Sequence, residues 1–523
     1  MSYKGEHFRV SCAQGGFSHN SNLDVITPSE MIHPSRNLNY FNNGREPRGG
    51  TSHVLDSAYT DTPQIMGLYN FIMTNNDNNF IVACCKDGKI YKDGSTTIHP
   101  ALQTTEEYFW DFEVFDNELY MVNGKNTPLK WTGSGNASAL TAIPSDWTGG
   151  NMPSWIVKHG RGNSERMWAG GCPTSTPWTI YASKNSDADA LGDGDVVTIK
   201  INTGDGYGIV GATEFGDRLI CFGKNSSYII DDLDPTAANW GYDTAQWEGG
   251  VATNRLVCRT PNDIVCMQDD GEIYSVLAAE KYGDYQAASL TRMSYMHEWI
   301  KEFVDLSSIK KFHSIYDPRL RAIKVFVLRN GQSEIDAALV YSIDRSPEEA
   351  WMIHGNWASA SGYDASASCF VRQDDGLHDI YTGDYSGMIW RLEQNDKNDN
   401  NNAFYSGFKT GYMHFGRPET KKHFKRLWMT VEPKGQWDMT IDWSVDGVQQ
   451  AQKTVSLAGL GAALGSFTLG TSKLGGDELI DSAVNLGMKG RRVQFEIYNN
   501  SADQGFFVSG FGIDYRNLGR EPS

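Results

Sequence analysis

The densest group of potential metal ligands in the sequence is an acidic loop that contains Asp187, Asp189, Asp193 and Asp195. Carboxylate oxygens suit Ca²⁺, and an EF-hand loop places its ligands at alternate positions, with Gly at position 6 and Glu at position 12. The spacing in residues 187–195 departs from that pattern. We therefore interpret this loop as a solvated turn, with weak calcium binding as the alternative.

Other residue types that support catalysis form no distinctive arrangement. Nucleophile elbows (GxSxG), HExxH helices and P-loops are absent. The tetrapeptide Ser444-Val445-Asp446-Gly447 matches a sialidase box only superficially, and the 12 histidines show no pairing at metal-ligand spacing. Glycosidases need paired carboxylates, and no distinctive pair is visible here. The sequence thus predicts no catalytic, cofactor-binding or metal-binding residues, and a protein that is not an enzyme.

The eight cysteines are expected to be reduced core residues. Two of them lie in apolar strand contexts, at 219–222 and 264–267, and no CxxC pair occurs. The N-terminus lacks an apolar signal segment, and no run of about 18 apolar residues is present, so we expect no membrane span. The cysteines all precede residue 403: Cys12, Cys84, Cys85, Cys172, Cys221, Cys258, Cys266 and Cys369.

A unit of short apolar strands joined by tight turns is clearest in residues 209–230. Strands are predicted near Ile209, over 219–222 and over 228–230, with a turn at Gly216-Asp217. Weaker versions of this unit recur at 65–91, 110–131, 155–183, 263–274, 322–354 and 368–392. Repeated small antiparallel sheets indicate a β-propeller of six or seven blades, whereas a set of ordinary β-sandwiches is the alternative.

The sequence pattern divides the chain into four parts. Residues 1–58 are interpreted as an N-terminal arm that closes onto the propeller, residues 59–392 as the propeller, 393–402 as a polar linker and 403–523 as a C-terminal β-sandwich or jelly roll. The fold class is therefore all-β. Apolar residues at helical spacing predict a helical insertion near 291–306, which either packs between blades or binds a partner.

The C-terminal part also contains an uncharged Gly/Ala/Leu-rich loop at 455–476. We expect it to pack on its own sandwich or to contact a neighbouring subunit. Two arginines of the arm, Arg45 and Arg48, either pair with a carboxylate elsewhere or are solvated loop charges.

The formal net charge is −18 and is unevenly distributed. Residues 403–523 contain 14 Lys and Arg against 12 Asp and Glu, whereas residues 1–402 contain 32 against 52. No basic run offers a stripe for phosphate binding, and the acidic part should repel nucleic acid. The charge either keeps a large surface soluble or forms an acidic wall past which a polyanion slides.

Four stretches together resemble the tail nozzle (tail hub or tubular) proteins of short-tailed bacteriophages. They are Arg36-Asn37-Leu38 with GREPRGGT at 44–51, GATEFGDRLICFGKNSSYII at 211–230, Gly249-Gly250-Val251 to Asn262-Asp263-Ile264 with DDGEIYSV at 269–276, and Gly416-Arg417-Pro418 to Lys425-Arg426-Leu427. The resemblance implies a β-propeller with attached β domains, assembled as a homohexameric ring at the distal end of the tail. It also implies a central channel through which double-stranded DNA passes without specific binding.

The same resemblance implies a location and partners. The protein would be made in the host cytoplasm and would function in the virion tail, next to a portal-proximal adaptor or ring protein and to tail spike or fibre proteins. The alternative function is a propeller lectin or a glycan-degrading enzyme (glycosidase) that acts on host surface polysaccharide, with Trp and Tyr on blade loops stacking on sugars.

Overall fold

The computed structural model is almost entirely β, with 39 strands and two α-helices in the residues that it describes. Those are all residues except 1–4, 21, 23–25, 41–42, 95, 100–101, 103–106, 161–163, 235, 248, 283–287, 374–375, 459–478 and 520–523. The first 53 residues contribute five strands: β1 (Glu6–Ser11), β2 (Met31–Arg36), β3 (Leu38–Asn39), β4 (Glu46–Pro47) and β5 (Gly50–His53).

Seven antiparallel sheets, here called blades 1 to 7, follow one another along the described chain. Blades 1 and 2 consist of β6 (Ile65–Ile72), β7 (Asn79–Cys85), β8 (Ile90–Lys92) and β9 (Thr96–His99), then β10 (Asp111–Phe115), β11 (Glu118–Val122), β12 (Leu129–Trp131) and β13 (Ser138–Ala139). Blades 3 and 4 consist of β14 (Trp155–His159), β15 (Arg166–Gly170), β16 (Thr179–Ala182) and β17 (Val197–Lys200), then β18 (Gly211–Phe215), β19 (Arg218–Phe222), β20 (Ser227–Asp231) and β21 (Gly241–Thr244).

Blade 5 has three strands in the described residues and is followed by both helices. Its strands and the helices are β22 (Val257–Arg259), β23 (Ile264–Met267), β24 (Ile273–Ser275), α1 (Val276–Tyr282) and α2 (Met296–Phe303). Blades 6 and 7 consist of β25 (His313–Asp317), β26 (Ala322–Val327), β27 (Ala337–Ser342) and β28 (Trp351–His354), then β29 (Ala365–Arg372), β30 (His378–Asp384) and β31 (Ile389–Gln394), with β5 as the fourth strand of blade 7.

The seven blades close into a propeller. The first strand of each blade contacts the first strand of the next, and β29 of blade 7 contacts β6 of blade 1. The strand β5 completes blade 7 by pairing with β31, with Trp390 opposite His53 and Arg391 opposite Ser52. An N-terminal strand therefore fastens the last blade, and the predicted propeller is confirmed with the larger of the two expected blade numbers.

The C-terminal part forms a sandwich of two antiparallel sheets. Its strands are β32 (Ser406–Thr410), β33 (Lys421–Glu432), β34 (Asp438–Val445), β35 (Val448–Gln449), β36 (Lys453–Ser456), β37 (Ile480–Gly490), β38 (Val493–Asn499) and β39 (Phe507–Gly519). One sheet has the order β1-β39-β33-β37, and the other has β2-β32-β38-β34-β35 with β36 beside β34. Alternate residues face inward, because successive side chains of a strand point to opposite sides.

The interpretation of residues 1–58 as an arm that closes onto the propeller holds for β5 but is incomplete. Strand β1 pairs with β39, strand β2 pairs with β32, and only β5 belongs to a blade. The arm therefore supplies one strand to each sheet of the sandwich. Neither β1 nor β2 shows a clear alternation of buried and exposed residues. Strand β1 lies at a sheet edge and buries only Val10.

The structure also corrects the boundaries and character of residues 393–402, which are not a solvated linker. Strand β31 of blade 7 extends to Gln394, beyond the predicted end of the propeller. Glu393, Asn398 and Asp399 are buried, and Asn400 donates its backbone N–H to Thr51. The segment does join the two domains, and although Asn395 and Asp396 are exposed, its two carboxylates Glu393 and Asp399 are buried.

The predicted helical insertion is present as α2, within 291–306, and α1 was not predicted. Helix α2 packs against the N-terminal arm: its Trp299 meets Phe17 edge-on at 6.3 Å, and its Phe303 stacks on His33 at 4.7 Å. All eight cysteines are buried and free, as expected. Most of the apolar loop 455–476 lies outside the described residues. No helix in the described part of the chain is long and apolar enough to cross a membrane.

Gly50 in β5 lies close to the backbone of residues 396–398, so a substitution there tests this packing. A Cβ at this position would lie 2.0 Å from the backbone oxygen of Asn398 and 2.6 Å from that of Asp396. Because backbone atoms cannot move aside as a flexible side chain does, Gly50→Ala should lower the free energy of unfolding by about 3 kcal/mol. Urea denaturation would measure the loss.

The matched control is Gly241→Ala in β21, where nothing lies within 4 Å of the added Cβ. This variant should unfold within about 0.5 kcal/mol of the parent. Equal stability of the two variants would contradict the packing of β5 against residues 396–398.

Candidate functional site

A group of buried charged side chains lies where blades 6 and 7, the N-terminal arm and the sandwich meet. We call it the junction cluster. Several of its members come from segments that are far apart in sequence, and each contributes a polar group to the same interior. Its members are Arg48, Lys324, His354, Tyr363, Glu393 and Asp399.

The centre of the junction cluster is a two-pronged ion pair between Arg48 and Asp399. The distances are 2.9 Å from Nη1 to Oδ1 and 2.7 Å from Nη2 to Oδ2, and both side chains are 0% exposed. The guanidinium also lies over the rings of Tyr363 and Phe404, at 4.5 and 4.0 Å. Burial disfavours its charge, but Asp399 outweighs that effect, so the pKa of Arg48 is raised. Arg48 is therefore charged.

Glu393 is the second anchor of the junction cluster. It accepts hydrogen bonds from Lys324 Nζ at 2.8 Å and from Tyr363 Oη at 2.7 Å, and from the backbone N–H of Gly49 at 2.9 Å. The imidazole of His354 lies 3.5 Å away. Burial opposes ionisation, but Lys324 and His354 outweigh it and hold the pKa of Glu393 well below its usual range. This carboxylate thus ties together the arm and blades 6 and 7.

The two arginines of the arm were expected either to pair with a carboxylate or to be solvated loop charges. Arg48 pairs with a carboxylate, as the first alternative holds. Arg45 is also buried, but it lies 4.3 Å above the ring of Phe408 and donates to the carbonyl of Ser29. Neither arginine is a solvated loop charge.

A second polar region lies on the propeller axis. A cavity of about 320 Å³ is lined by the first strand, or the turn that precedes it, of all seven blades. Asp111 accepts hydrogen bonds there from the backbone N–H of Ile156 and from Asn254 Nδ2, both at 2.9 Å. Asn254 in turn accepts from the backbone N–H of Ala212 at 3.2 Å. These side chains join blades whose backbones do not pair with one another.

Burial shifts the protonation of the axial residues. It raises the pKa of Asp111 to about 7 and lowers that of Arg255 to about 9. Burial also lowers the pKa of His313 well below its usual value, so this imidazole is neutral. Arg255 lies 3.8 Å over Phe109 and donates to the carbonyl of Lys311 at 3.1 Å. Asp111, Asn254 and Arg255 therefore connect the blades through hydrogen bonds within the protein.

The acidic loop does not gather its carboxylates around one point. Asp189 binds Tyr120 and Lys130, Asp193 accepts from the backbone N–H of Ser145, and Asp195 lies 3.5 Å from Lys184. Among the described residues, no group of three or more His, Cys, Asp and Glu side chains could hold a metal ion.

The sequence also contains one glycine motif with the spacing of a cofactor-binding loop. Residues 206–211 read Gly-Tyr-Gly-Ile-Val-Gly and have the spacing of a dinucleotide fingerprint. In the structure this string leads into β18 of an antiparallel blade, whereas the fingerprint requires a strand followed by a helix. The backbone N–H of Ile209 donates to Pro177, so the segment serves to connect blades 3 and 4.

The sequence reasoning missed the junction cluster, although one signal for it exists. Lys324 interrupts the apolar strand Ala322–Val327, and a lysine buried in such a strand requires a carboxylate nearby. Both carboxylates of the cluster lie in 393–402, where a run of polar residues is more typical of a linker.

Comparison with protein-family models and with curated protein sequences gives no match. Among solved structures, BBS1N in complex with ARL6DN is similar, with 10% identity and a TM-score of 0.41 over 66% of this chain and 98% of that one. The Pan2 WD40 domain of Neurospora crassa matches at 8% identity and TM-score 0.38, covering 69% and 98%. BamB from Moraxella catarrhalis matches at 9% identity and TM-score 0.35, covering 69% and 97%.

Removal of only one partner of the Arg48–Asp399 ion pair should lower the free energy of unfolding strongly. Arg48→Met leaves Asp399 buried without its cation, and we expect a loss of about 3–5 kcal/mol in the free energy of unfolding. The double variant Arg48→Met with Asp399→Asn removes both charges and should lose less than the sum of the two single variants. Chemical denaturation of the four proteins measures this coupling, and strictly additive losses would contradict it.

Asp111 should make the free energy of unfolding depend on pH. Its pKa is raised in the folded state, so the folded protein holds a proton that the unfolded chain releases between about pH 4 and 7. Stability from this group is therefore lost as pH rises through that window. Asp111→Asn should remove about 1–3 kcal/mol of the decrease seen between pH 5 and pH 8. Urea midpoints at both pH values test this, and an unchanged decrease would contradict it.

Proposed function

We propose that this chain is a structural subunit of a short bacteriophage tail. It forms a homohexameric nozzle or hub ring that extends the tail channel and conducts double-stranded DNA during ejection, without specific binding. A portal-proximal adaptor or ring protein adjoins the ring on one side, and spike or fibre proteins surround it. On this proposal the protein is located in the virion tail and is not an enzyme.

The observation that carries the proposal is the junction cluster. A channel subunit must keep its domains at a fixed angle while a charged polymer passes. Here the arm, blades 6 and 7 and the segment that leads into the sandwich share one set of buried charges, and Arg48, Glu393 and Asp399 are paired in this arrangement. A hinge at this point would expose or separate those charges, at a cost of several kcal/mol. Such rigidity suits a conduit.

The residues that carry the phage-tail resemblance supply part of this junction, which further supports the proposal. Asn37 accepts from Arg48 Nε at 2.9 Å and donates to the carbonyl of Tyr405 at 2.7 Å. Arg36 lies between the rings of Trp357 and Tyr405, at 4.1 and 4.2 Å. The sequence pattern thus has a physical role at the contact between propeller and sandwich.

Single-particle electron microscopy of the purified protein tests the proposal. The expected result is a six-fold ring with an axial opening wide enough for duplex DNA, about 20 Å across. A particle that remains monomeric at every concentration examined, or a closed ring without an opening, would contradict it. Glycan binding or release of reducing sugars by a monomeric protein would instead favour the propeller lectin or glycosidase.

A further inference from the structure

Cations from four strands collect on the outer face of one sandwich sheet, the sheet β1-β39-β33-β37. Cross-strand register places Arg9 opposite Gly512 and Trp428, and places His7, Asp514 and Arg426 side by side. Arg516, His423 and Lys489 form another row of the same face. We call the outward side chains of these rows the basic face. It contrasts with the chain's net charge of −18.

Three cations of the basic face have no ion-pair partner in the part of the chain that the structure describes. Arg9, Arg426 and Lys489 are exposed, and none of the three forms an ion pair in the described residues. The two carboxylates on this face are already engaged: Asp514 accepts from His7 at 2.8 Å and from Trp428 at 2.7 Å, and Asp481 accepts from Thr430. The face therefore presents net positive charge to a partner.

A complementary surface exists on blade 4 of the same chain. Residues 225–254 contain five Asp and Glu and no Lys or Arg. Asp231 and Asp243 are exposed at the end and the outer strand of the blade. Between them, Leu233 is 85% exposed, the largest value among the exposed large apolar side chains. We call this surface the acidic edge.

The mixture of charge and apolar groups favours a protein partner over a phosphate polymer. Met488 and Leu518, at the border of the basic face, are 37% and 43% exposed. Each exposed ion pair contributes little to association, so association also needs apolar burial. Each surface has an exposed apolar side chain beside its charges, and the charges of one surface are opposite in sign to those of the other. Docking of the two surfaces would therefore bury apolar area and pair opposite charges.

We infer that the basic face docks onto the acidic edge of blade 4 in a second copy of this chain. The two surfaces are different, so the contact is head to tail, and repeating it produces a closed ring when the rotation per copy divides 360°. The inference rests on the proposed ring and specifies the contact that builds it.

The experiment compares assembly of charge-reversed chains by mass photometry at 100 mM and 500 mM NaCl. Arg9→Glu/Arg426→Glu/Lys489→Glu should raise the apparent dissociation constant of the assembly at least tenfold, because each reversed cation now repels the acidic edge. The control reverses three exposed lysines elsewhere, Lys200→Glu/Lys301→Glu/Lys310→Glu, and should assemble like the parent. High salt should weaken the parent and the control alike, since exposed charges are screened.

A charge-swap variant tests whether the basic face pairs specifically with the acidic edge. Asp231→Arg/Asp243→Arg should disrupt assembly when introduced alone. Combined with Arg9→Glu/Arg426→Glu in one chain, it should restore assembly, because both surfaces then carry exchanged signs. Circular dichroism and thermal unfolding of each variant establish that the monomer remains folded.

Several outcomes overturn the inference. If the reversed triple variant assembles as well as its control, another contact builds the ring, and the proposed function stands. Failure of the swap to restore assembly likewise refutes this pairing. If the triple variant loses binding of duplex DNA but still assembles, the occupant of the basic face is phosphate. Absence of any assembly by the parent chain overturns both the inference and the proposed ring.

Discussion

The ion pair between Arg48 and Asp399 is the interaction on which the rest of the structure depends. Neither side chain is exposed to water, and an unpaired charge in such a place costs several kcal/mol. The pair therefore forms only when the arm, the segment after blade 7 and the start of the sandwich come together. Glu393 imposes the same condition on blades 6 and 7 through Lys324 and Tyr363. Asp399 and Glu393 therefore hold the arm, blades 6 and 7 and the segment after blade 7 together.

The path of the chain follows from this constraint. The arm places β1 and β2 in the two sheets of the sandwich, and β5 then closes blade 7, so the first 53 residues contribute strands to both domains. Contacts that span several hundred residues carry a loop-closure cost, which grows slowly with length and must be offset by burial. Phe17, packed against Trp299 of α2, provides part of that burial. Closure of the propeller and assembly of the sandwich are thus linked events.

Within the propeller, polar side chains replace the backbone pairing that neighbouring blades lack. Asp111 and Asn254 bond to backbone N–H groups of other blades, and both are partly buried on the axis. The same burial that makes these bonds strong also makes the charged form of Asp111 costly. An axis that is held by internal hydrogen bonds suits an architectural role, and the exposed charges then determine which surfaces associate. On the proposed function, those surfaces are the basic face and the acidic edge.

The sequence by itself determined the fold class, the positions of the blades, the helix near 296–303 and the sandwich pattern after residue 403. These features depend on local periodicity, such as the alternation around Leu219–Phe222, and local patterns can be read along a chain. Tertiary structure alone decided the membership of the arm, the junction cluster and the basic face. Arg48 and Asp399 are 351 residues apart, and Arg9 and Lys489 lie on different strands, so no local pattern relates them. The polar run at 393–402 was misinterpreted because burial depends on what packs around a segment, and composition does not record it.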